Sequence, residues 1–373
     1  MYKEDIMAGS TFGNQFKITT WGESHGKGIG VVVDGCPAGL ALCEEDIQKN
    51  LDRRKPGQSK YSTPRKEDDA VEILSGVFEG KTTGTPISMI VYNKTQRSSD
   101  YGEIADYYRP GHADLTYDTK YGFRDYRGGG RSSGRETIGR VAGGAIAIKI
   151  LDLLGVQLLT YTRSIGPVKI DNNNFDRSII SQNPLYMPDA EAAQRAGAFL
   201  EECMQHGDSS GGMIECIVKN MIPGVGDPVF EKLNANLGKA LLSIGAVKSF
   251  EIGDGIAVSQ ALGSENNDQY TLSSEGHKVK LTNHSGGIMG GISDGSDILL
   301  RVGIKPTPSI KKEQSTITKD GRSIQIKVKG RHDPVIVPRA VVVVESMTAI
   351  TLLDMLFASM TSQMDHLIRF FHR

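Results

Sequence analysis

The sequence has no block of charge of one sign, no paired-cysteine motif and no unbroken apolar run of 18 residues. Each absence narrows what the chain can be. Lys plus Arg (43) balance Asp plus Glu (44), so the formal charge is −1, which excludes a protein that coats polyanions through its bulk charge. Any local basic cluster therefore carries meaning. Cys36, Cys43, Cys203 and Cys216 show no CxxC spacing, and 373 residues can bury a core without covalent staples, so reduced thiols in a cytoplasm are expected. The missing apolar run and the acidic start MYKEDIM predict neither a membrane span nor a secretory signal, hence a cytoplasmic chain that makes no membrane contact. There is no HExxH, EF-hand or zinc-ligand spacing, so no protein-bound catalytic metal is predicted.

Two familiar phosphate motifs are also missing. The run from Gly76 to Thr82 ends like a P-loop but is one residue short between its glycines. Gly26, Gly28 and Gly30 lack the remaining dinucleotide-fingerprint glycine and lead into a strand where that fingerprint would open a helix. The run Tyr126–Arg131 looks like a fragment of an RGG segment, but it occurs once and precedes a buried helix, which argues against nucleic-acid binding.

What the sequence does contain is glycine, 44 residues spread without a period, and one dense arginine segment. Arg109 to Arg140 packs a histidine, three consecutive glycines, paired serines and six arginines into 32 residues. Guanidinium forks match carboxylate and phosphate oxygens in pairs, and a Gly-rich turn lets backbone N–H groups approach an anion. The segment reads as an anion site. The apolar helix predicted for Glu136–Leu154 would point its N-terminus, with free N–H donors and partial positive charge, back at that turn.

Elsewhere, residues 16–36 read as strand, polar turn, strand, placing Glu23, Ser24 and His25 in the turn. Leu42–Arg54 has helical spacing, Ile87–Asn93 reads as a buried strand, and the polar stretch from Gly57 to Asp69 as a loop. In the second half, helices are predicted near Asp189–Met204 and Val229–Leu242, strands near Met213–Val218, Ile298–Pro306 and Ile324–Gly330, and a long helix opened by Pro338. No compositional break divides the chain, which predicts one α/β domain over residues 1–373.

His25 in GESHG and His112 in RPGHAD differ from the other six histidines by lying in turns among glycines, acids and arginines. A histidine beside a bound polyanion becomes a proton donor near neutral pH. Asp333 in GRHDP is flanked by Arg331 and followed by Pro334; an ion-pair partner of Arg331 is its plainer reading. Arg54, Lys60, Arg109, Arg127, Arg131 and Arg135 are each readable singly as solvated surface charge, but together beside Gly-rich turns they suggest a ligand-binding set.

Three long motifs in fixed order carry a resemblance: Gly22–Gly39 (GESHGKGIGVVVDGCPAG), Tyr121–Thr137 (YGFRDYRGGGRSSGRET) and Arg331–Glu345 (RHDPVIVPRAVVVVE). With them the chain resembles the chorismate synthase family over essentially its full length. The resemblance implies a 1,4-anti elimination of phosphate from 5-enolpyruvylshikimate 3-phosphate, with reduced FMN required but no net redox change. It implies His25, His112 and Asp333 as catalytic residues: His25 protonating the departing phosphate, His112 at the reduced flavin, Asp333 assisting removal of the C6 proton. By the same similarity Arg54, Arg109 and Arg135 bind substrate. Arg54, Lys60, Arg131, Ser132, Ser133, Gly245, Ala246, Gly290, Lys305, Pro306, Thr307, Pro308, Ser309 and Arg331 bind cofactor, with NADPH a candidate reductant. The implied fold is an α/β sandwich of long helices between two antiparallel sheets, assembled as a homotetramer. Lys60 stands where many relatives have arginine, Gly245 where asparagine is common, Gly134 where alanine is frequent, and six residues precede the usual start at Met7. The competing readings are a flavin- or NADPH-dependent oxidoreductase, which predicts steady NADPH consumption, and a polyanion-binding module, which predicts salt-sensitive nucleic-acid affinity.

Overall fold

The computed structural model of the chain describes residues 9–62, 67–94, 104–328 and 333–372. The hydrophobic alternation of the first hundred residues builds a five-stranded antiparallel sheet. Its strands are β1 (Thr11–Phe12), β2 (Lys17–Gly22), β3 (Gly28–Asp34), β4 (Val71–Ile73) and, after the hairpin of β5 (Val77–Phe78) and β6 (Lys81–Thr82), β7 (Ile87–Tyr92). The order is β1-β2-β3-β7-β4. In its register Ile29, Val31 and Val33 stand opposite Val91, Met89 and Ile87, so all six apolar side chains are buried on one face. That face packs on α3 (Thr137–Leu153).

A second five-stranded antiparallel sheet is made by β8 (Gln157–Ile165), β9 (Val168–Lys169), β10 (Gly212–Lys219), β11 (Val247–Ile252) and β16 (Ile298–Ile304), in the order β11-β16-β10-β8-β9. Ile214, Cys216 and Val218 face Val302, Leu300 and Ile298 across the central pair and are buried with them. This sheet packs on α7 (Val337–Ser359) and, at β11, on α5 (Leu233–Leu242). Three hairpins project from the framework: β12–β13 (Tyr270–Leu272, Lys278–Lys280), β14–β15 (Ile288–Met289, Ile292–Ser293) and β17–β18 (Gln314–Ile317, Ser323–Ile326). The remaining helices are α1 (Glu44–Arg54), α2 (Asp114–Tyr121), α4 (Ala190–Gln205), the single turn α6 (Gly263–Asn266) and α8 (Met364–Phe371).

Among the described residues one helix, α7, is long and apolar enough to pass for a membrane span, but 89% of its apolar window is buried inside the protein. Every residue from 341 to 356 is buried, and the two acids among them are compensated. Glu345 accepts from Arg53 at 2.7 and 3.0 Å. Asp354 accepts the N–H groups of Asn14, Gln15 and Phe16 at 2.6 to 3.0 Å, so one carboxylate has an ion-pair partner and the other a set of backbone hydrogen bonds. Where α7 crosses α3, Gly144 lies so close that a Cβ there would sit 2.2 Å from that of Ser346.

Other boundaries shift by a few residues. α5 begins at Leu233, not Val229, because Val229 takes a left-handed φ of 67° in the preceding turn. The strand read over 324–330 is Ser323–Ile326, its far end lying outside the described residues. Val335 makes only an isolated bridge to Ser210 before α7 starts. The four cysteines are free thiols.

Candidate functional site

The turn between β2 and β3 carries Ser24 and His25, both buried at 6% exposure. Asn93, the residue after β7, holds this turn. Its N–H continues the ladder to the Lys27 carbonyl at 3.0 Å, and its side-chain Nδ2 donates to the carbonyls of Glu23 (3.0 Å) and Gly26 (2.9 Å). From the other side Gly128 lies against the His25 ring. With φ of 64°, any Cβ there would come within 2.4 Å of His25 Cδ2, so this position in the triple glycine requires glycine for close approach. Ser24 Oγ donates to the Gly128 carbonyl at 3.2 Å.

Three arginines meet beside this turn. Arg54 closes α1, a helix with acids in its first turn and basic residues in its last, which suits the helix dipole. Its guanidinium is wholly buried: Nη2 donates to Asp69 Oδ2 at 2.6 Å and Nη1 to the Gly134 carbonyl at 3.2 Å. Burial pushes it down to about 10, opposed by the Asp69 charge and reinforced by Arg339 and Arg135; at neutral pH it remains a cation. Arg135 donates through Nη1 to the other Asp69 oxygen at 3.2 Å and to Glu67, and through Nε to Asn93 Oδ1 at 3.0 Å. Arg339, on α7, donates to the Arg54 carbonyl at 3.0 Å and to Asp333 Oδ2 at 2.5 Å. A single hydrogen-bonded path thus runs from Asp333 through Arg339, Arg54, Asp69, Arg135 and Asn93 to the turn of His25. Two buried donors on it, Arg54 Nε and Arg135 Nη2, have no partner among the described residues. Buried donors demand acceptors, and guanidinium N–H groups prefer anionic ones.

A second cluster forms where the 109–113 loop docks on the segment after β16. His112 Nε2 lies 2.9 Å from Ser309 Oγ, and Lys305 Nζ donates to the Gly111 carbonyl at 2.7 Å. Burial, with the Lys248 charge, lowers the Lys305 ammonium from its ordinary value. Lys305 N–H donates to the Ala246 carbonyl at 2.9 Å, which brings Gly245 and Ala246 alongside Lys305, Pro306, Thr307, Pro308 and Ser309. Thr307 Oγ1 is buried without a partner among the described residues.

The other predicted residues are placed less directly. Arg109 makes a fork to Asp114 at 2.8 Å through both Nε and Nη2. Burial raises the Asp114 carboxyl, but the hydrogen bonds and charge of Arg109, with the charge of Arg124, outweigh it and hold Asp114 below its ordinary range. Arg131 is occupied by β2, donating to the Thr20 hydroxyl (2.7 Å), the Thr20 carbonyl (3.1 Å) and the Gly22 carbonyl (3.3 Å). Ser132 and Ser133 sit in the short turns between the triple glycine and α3: Ser132 Oγ donates to Gly129, and Ser133 Oγ accepts from the Arg135 N–H. Lys60 is exposed and paired with Glu201 at 2.5 Å. Gly290 is not brought to the cluster. It lies in the exposed β14–β15 turn, whose Gly291 carbonyl accepts from Leu233 at the start of α5, whereas Gly245 and Ala246 follow that helix's end; ten helical residues span about 15 Å. Arg331 lies outside the described residues.

Reasoning from sequence missed Glu67, Asp69, Asn93 and Arg339. Asn93 had a usable signal, as a hydrogen-bonding amide ending a buried strand. Asp69 had none, because it closed a segment read as a polar loop. No group of three metal-ligating side chains occurs among the described residues.

The chorismate synthase family model matches residues 16–357. The chain is 65% identical over 367 residues to the chorismate synthase of Lachnoclostridium phytofermentans, covering 98% of this chain and 100% of the relative. It is 52% identical over 356 residues to that of Methanosarcina mazei, covering 95% and 97%. A crystal structure of chorismate synthase superposes with a TM-score of 0.76 at 31% identity over 97% of each chain. The family match, the relatives' identity over nearly the whole chain and the superposed fold agree: this chain belongs to the chorismate synthase family of lyases.

Proposed function

We propose that the Arg54–Asp69–Arg135 cluster and the turn of His25 form the centre where this chain performs the family's reaction, 1,4-anti elimination of phosphate from 5-enolpyruvylshikimate 3-phosphate. The observation that carries this reading is the pair of buried guanidinium donors, Arg54 Nε and Arg135 Nη2, that have no partner among the described residues and lie on a network ending at the Glu23 and Gly26 carbonyls either side of His25. Such donors take the carboxylates and phosphate of the substrate, and dense guanidinium charge offsets the cost of drying a polyanion. His25, on a turn clamped from both sides, gives its proton to the departing phosphate. Asp333, held by Arg339, stands ready to accept a proton.

The family implies reduced FMN, and the second cluster fits it. The buried Thr307 hydroxyl, the Lys305 ammonium and the backbone at Gly245 and Ala246 supply donors for a phosphate-bearing ligand, with His112 held beside them by Ser309. Reduced flavin, when bound, supplies an electron-rich ring that assists C–O cleavage without net redox change. Arg109 and Arg131 act here by fixing the 109–113 loop and the triple-glycine turn, since their guanidinium groups are held by Asp114 and β2.

The family resemblance also supports one catalytic domain, a layered sandwich with α3 on one sheet and α7 on the other, a homotetramer and a cytoplasmic location. Sedimentation velocity tests the tetramer. Anaerobic mixing with 5-enolpyruvylshikimate 3-phosphate and chemically reduced FMN should release chorismate, and its absence overturns the reading. A parallel reaction with oxidised FMN and NADPH tests whether the chain reduces its own flavin.

A further inference from the structure

We propose that Asn93 is a positioning residue, tying the anion-binding Arg135 to the turn that carries His25 so that substrate capture and proton donation share one frame. The inference rests on the proposed roles of Arg135 and His25. The orientation of the Asn93 amide is dictated by chemistry. Arg135 Nε can only donate, so the atom 3.0 Å from it must be the carbonyl oxygen, and the carbonyls of Glu23 and Gly26 can only accept, so the atom 3.0 and 2.9 Å from them must be the nitrogen. Both amide protons are used, and both go to carbonyls that bracket Ser24 and His25. The backbone N–H of the same residue reaches Lys27, so one residue makes three bonds across a five-residue turn.

No other residue type of this size offers one acceptor and two donors. Aspartate keeps the bond from Arg135, as a charged acceptor, but loses both donors and turns an oxygen toward the Glu23 and Gly26 carbonyls. Alanine loses all three side-chain bonds and keeps only the backbone bond to Lys27. Asn93 therefore acts on His25 through its donors and on Arg135 through its acceptor, and the two substitutions separate those actions.

The test measures kcat and KM for 5-enolpyruvylshikimate 3-phosphate, at saturating reduced FMN, in wild type, Asn93→Asp, Asn93→Ala, His25→Ala and the double variant Asn93→Ala/His25→Ala. Circular dichroism and thermal melts check the fold. Displacing a catalytic group by about 1 Å costs on the order of 10²-fold. Asn93→Asp should therefore lose about 10- to 100-fold in kcat, on the scale of outer-shell partners of reacting groups, with KM nearly unchanged. Asn93→Ala should lose kcat and raise KM. In the His25→Ala background the Asn93→Ala loss in kcat should vanish, since a residue acting through His25 has nothing left to position. Wild-type kcat in Asn93→Asp overturns the proposal, and so does full multiplication of the two losses in the double variant. If Asn93→Ala does not fold, Asn93→Asp and Asn93→Asp/His25→Ala decide the matter. Inactive wild-type protein would instead refute the parent reading, so the two failures are distinct.

Discussion

Replacing Asp69 by asparagine tests the electrostatic core of the site. The Asp69 side chain is fully buried and serves two cations, Arg54 at 2.6 Å with a side chain 2% exposed and Arg135 at 3.2 Å with a side chain 10% exposed. Asparagine keeps the shape but offers one carbonyl where there were two carboxylate oxygens, and its NH₂ then faces the other guanidinium. Removing one partner of a buried ion pair costs about 3–5 kcal/mol, because the remaining charge is left uncompensated. With an unfolding entropy of about 2.1 cal/mol/K per residue, the 373-residue chain loses roughly 0.8 kcal/mol of stability per degree, so the melting temperature should fall by roughly 4–6 °C. Urea titration and calorimetry read this directly. A second readout is specific to the cause. Inorganic phosphate can neutralise the uncovered arginines and stabilises whatever state binds it, so it should raise the melting temperature of Asp69→Asn more than that of wild type. A loss below about 1 kcal/mol, against the scale for a broken buried pair, with no difference in response to phosphate would refute the reasoning.

His25→Ala and His112→Ala should each lower turnover about 10²-fold or more, the scale of general acid–base contributions; near-normal rates at saturating reduced FMN would remove those roles. Asp268 should show the pH signature of a depressed carboxylate. Burial raises it, but hydrogen bonds from Ser285, Thr282 and the His284 N–H outweigh burial and hold it well below its ordinary value of 3.8. A folded pKa below the unfolded one gives stability that is complete above the unfolded value and is lost as pH falls through the folded one. Denaturant titrations of wild type and Asp268→Asn should differ by a constant amount from neutral pH to about 5, and the gap should narrow below about 4; an unchanged gap in strong acid contradicts this. Gly144→Ala would force a methyl group into Ser346 at the α3–α7 crossing, and such overpacking costs about 1–3 kcal/mol or more; an unaltered urea midpoint would show that the crossing relaxes freely.

Local pattern carried much of the architecture. The alternation around Ile29–Val33 and Ile87–Val91, the capped helix ending at Arg54, and the apolar helices entered at Thr137 and Val337 were all legible, because period and capping are properties of neighbouring residues. The proposal of an anionic ligand also comes from the sequence, since guanidinium groups beside a triple glycine suit carboxylate or phosphate oxygens. Their division of labour was not legible. Arg109 and Arg131 engage nearby carboxylate, hydroxyl and carbonyl oxygens, whereas Arg54 and Arg135 each keep one buried donor without a partner among the described residues. That division depends on Asp69, Asn93 and Arg339, which stand 15, 42 and 285 positions from the arginines they engage. Gly290 and Lys305 flank the same strand in sequence, yet the hairpin carrying Gly290 is drawn to the start of α5, away from the segment after β16. By itself the sequence determined many of the elements and where the arginines cluster along the chain. Which donors remain for that ligand was decided only by tertiary structure, because a buried guanidinium takes whatever acceptor the packing of distant segments brings within about 3 Å.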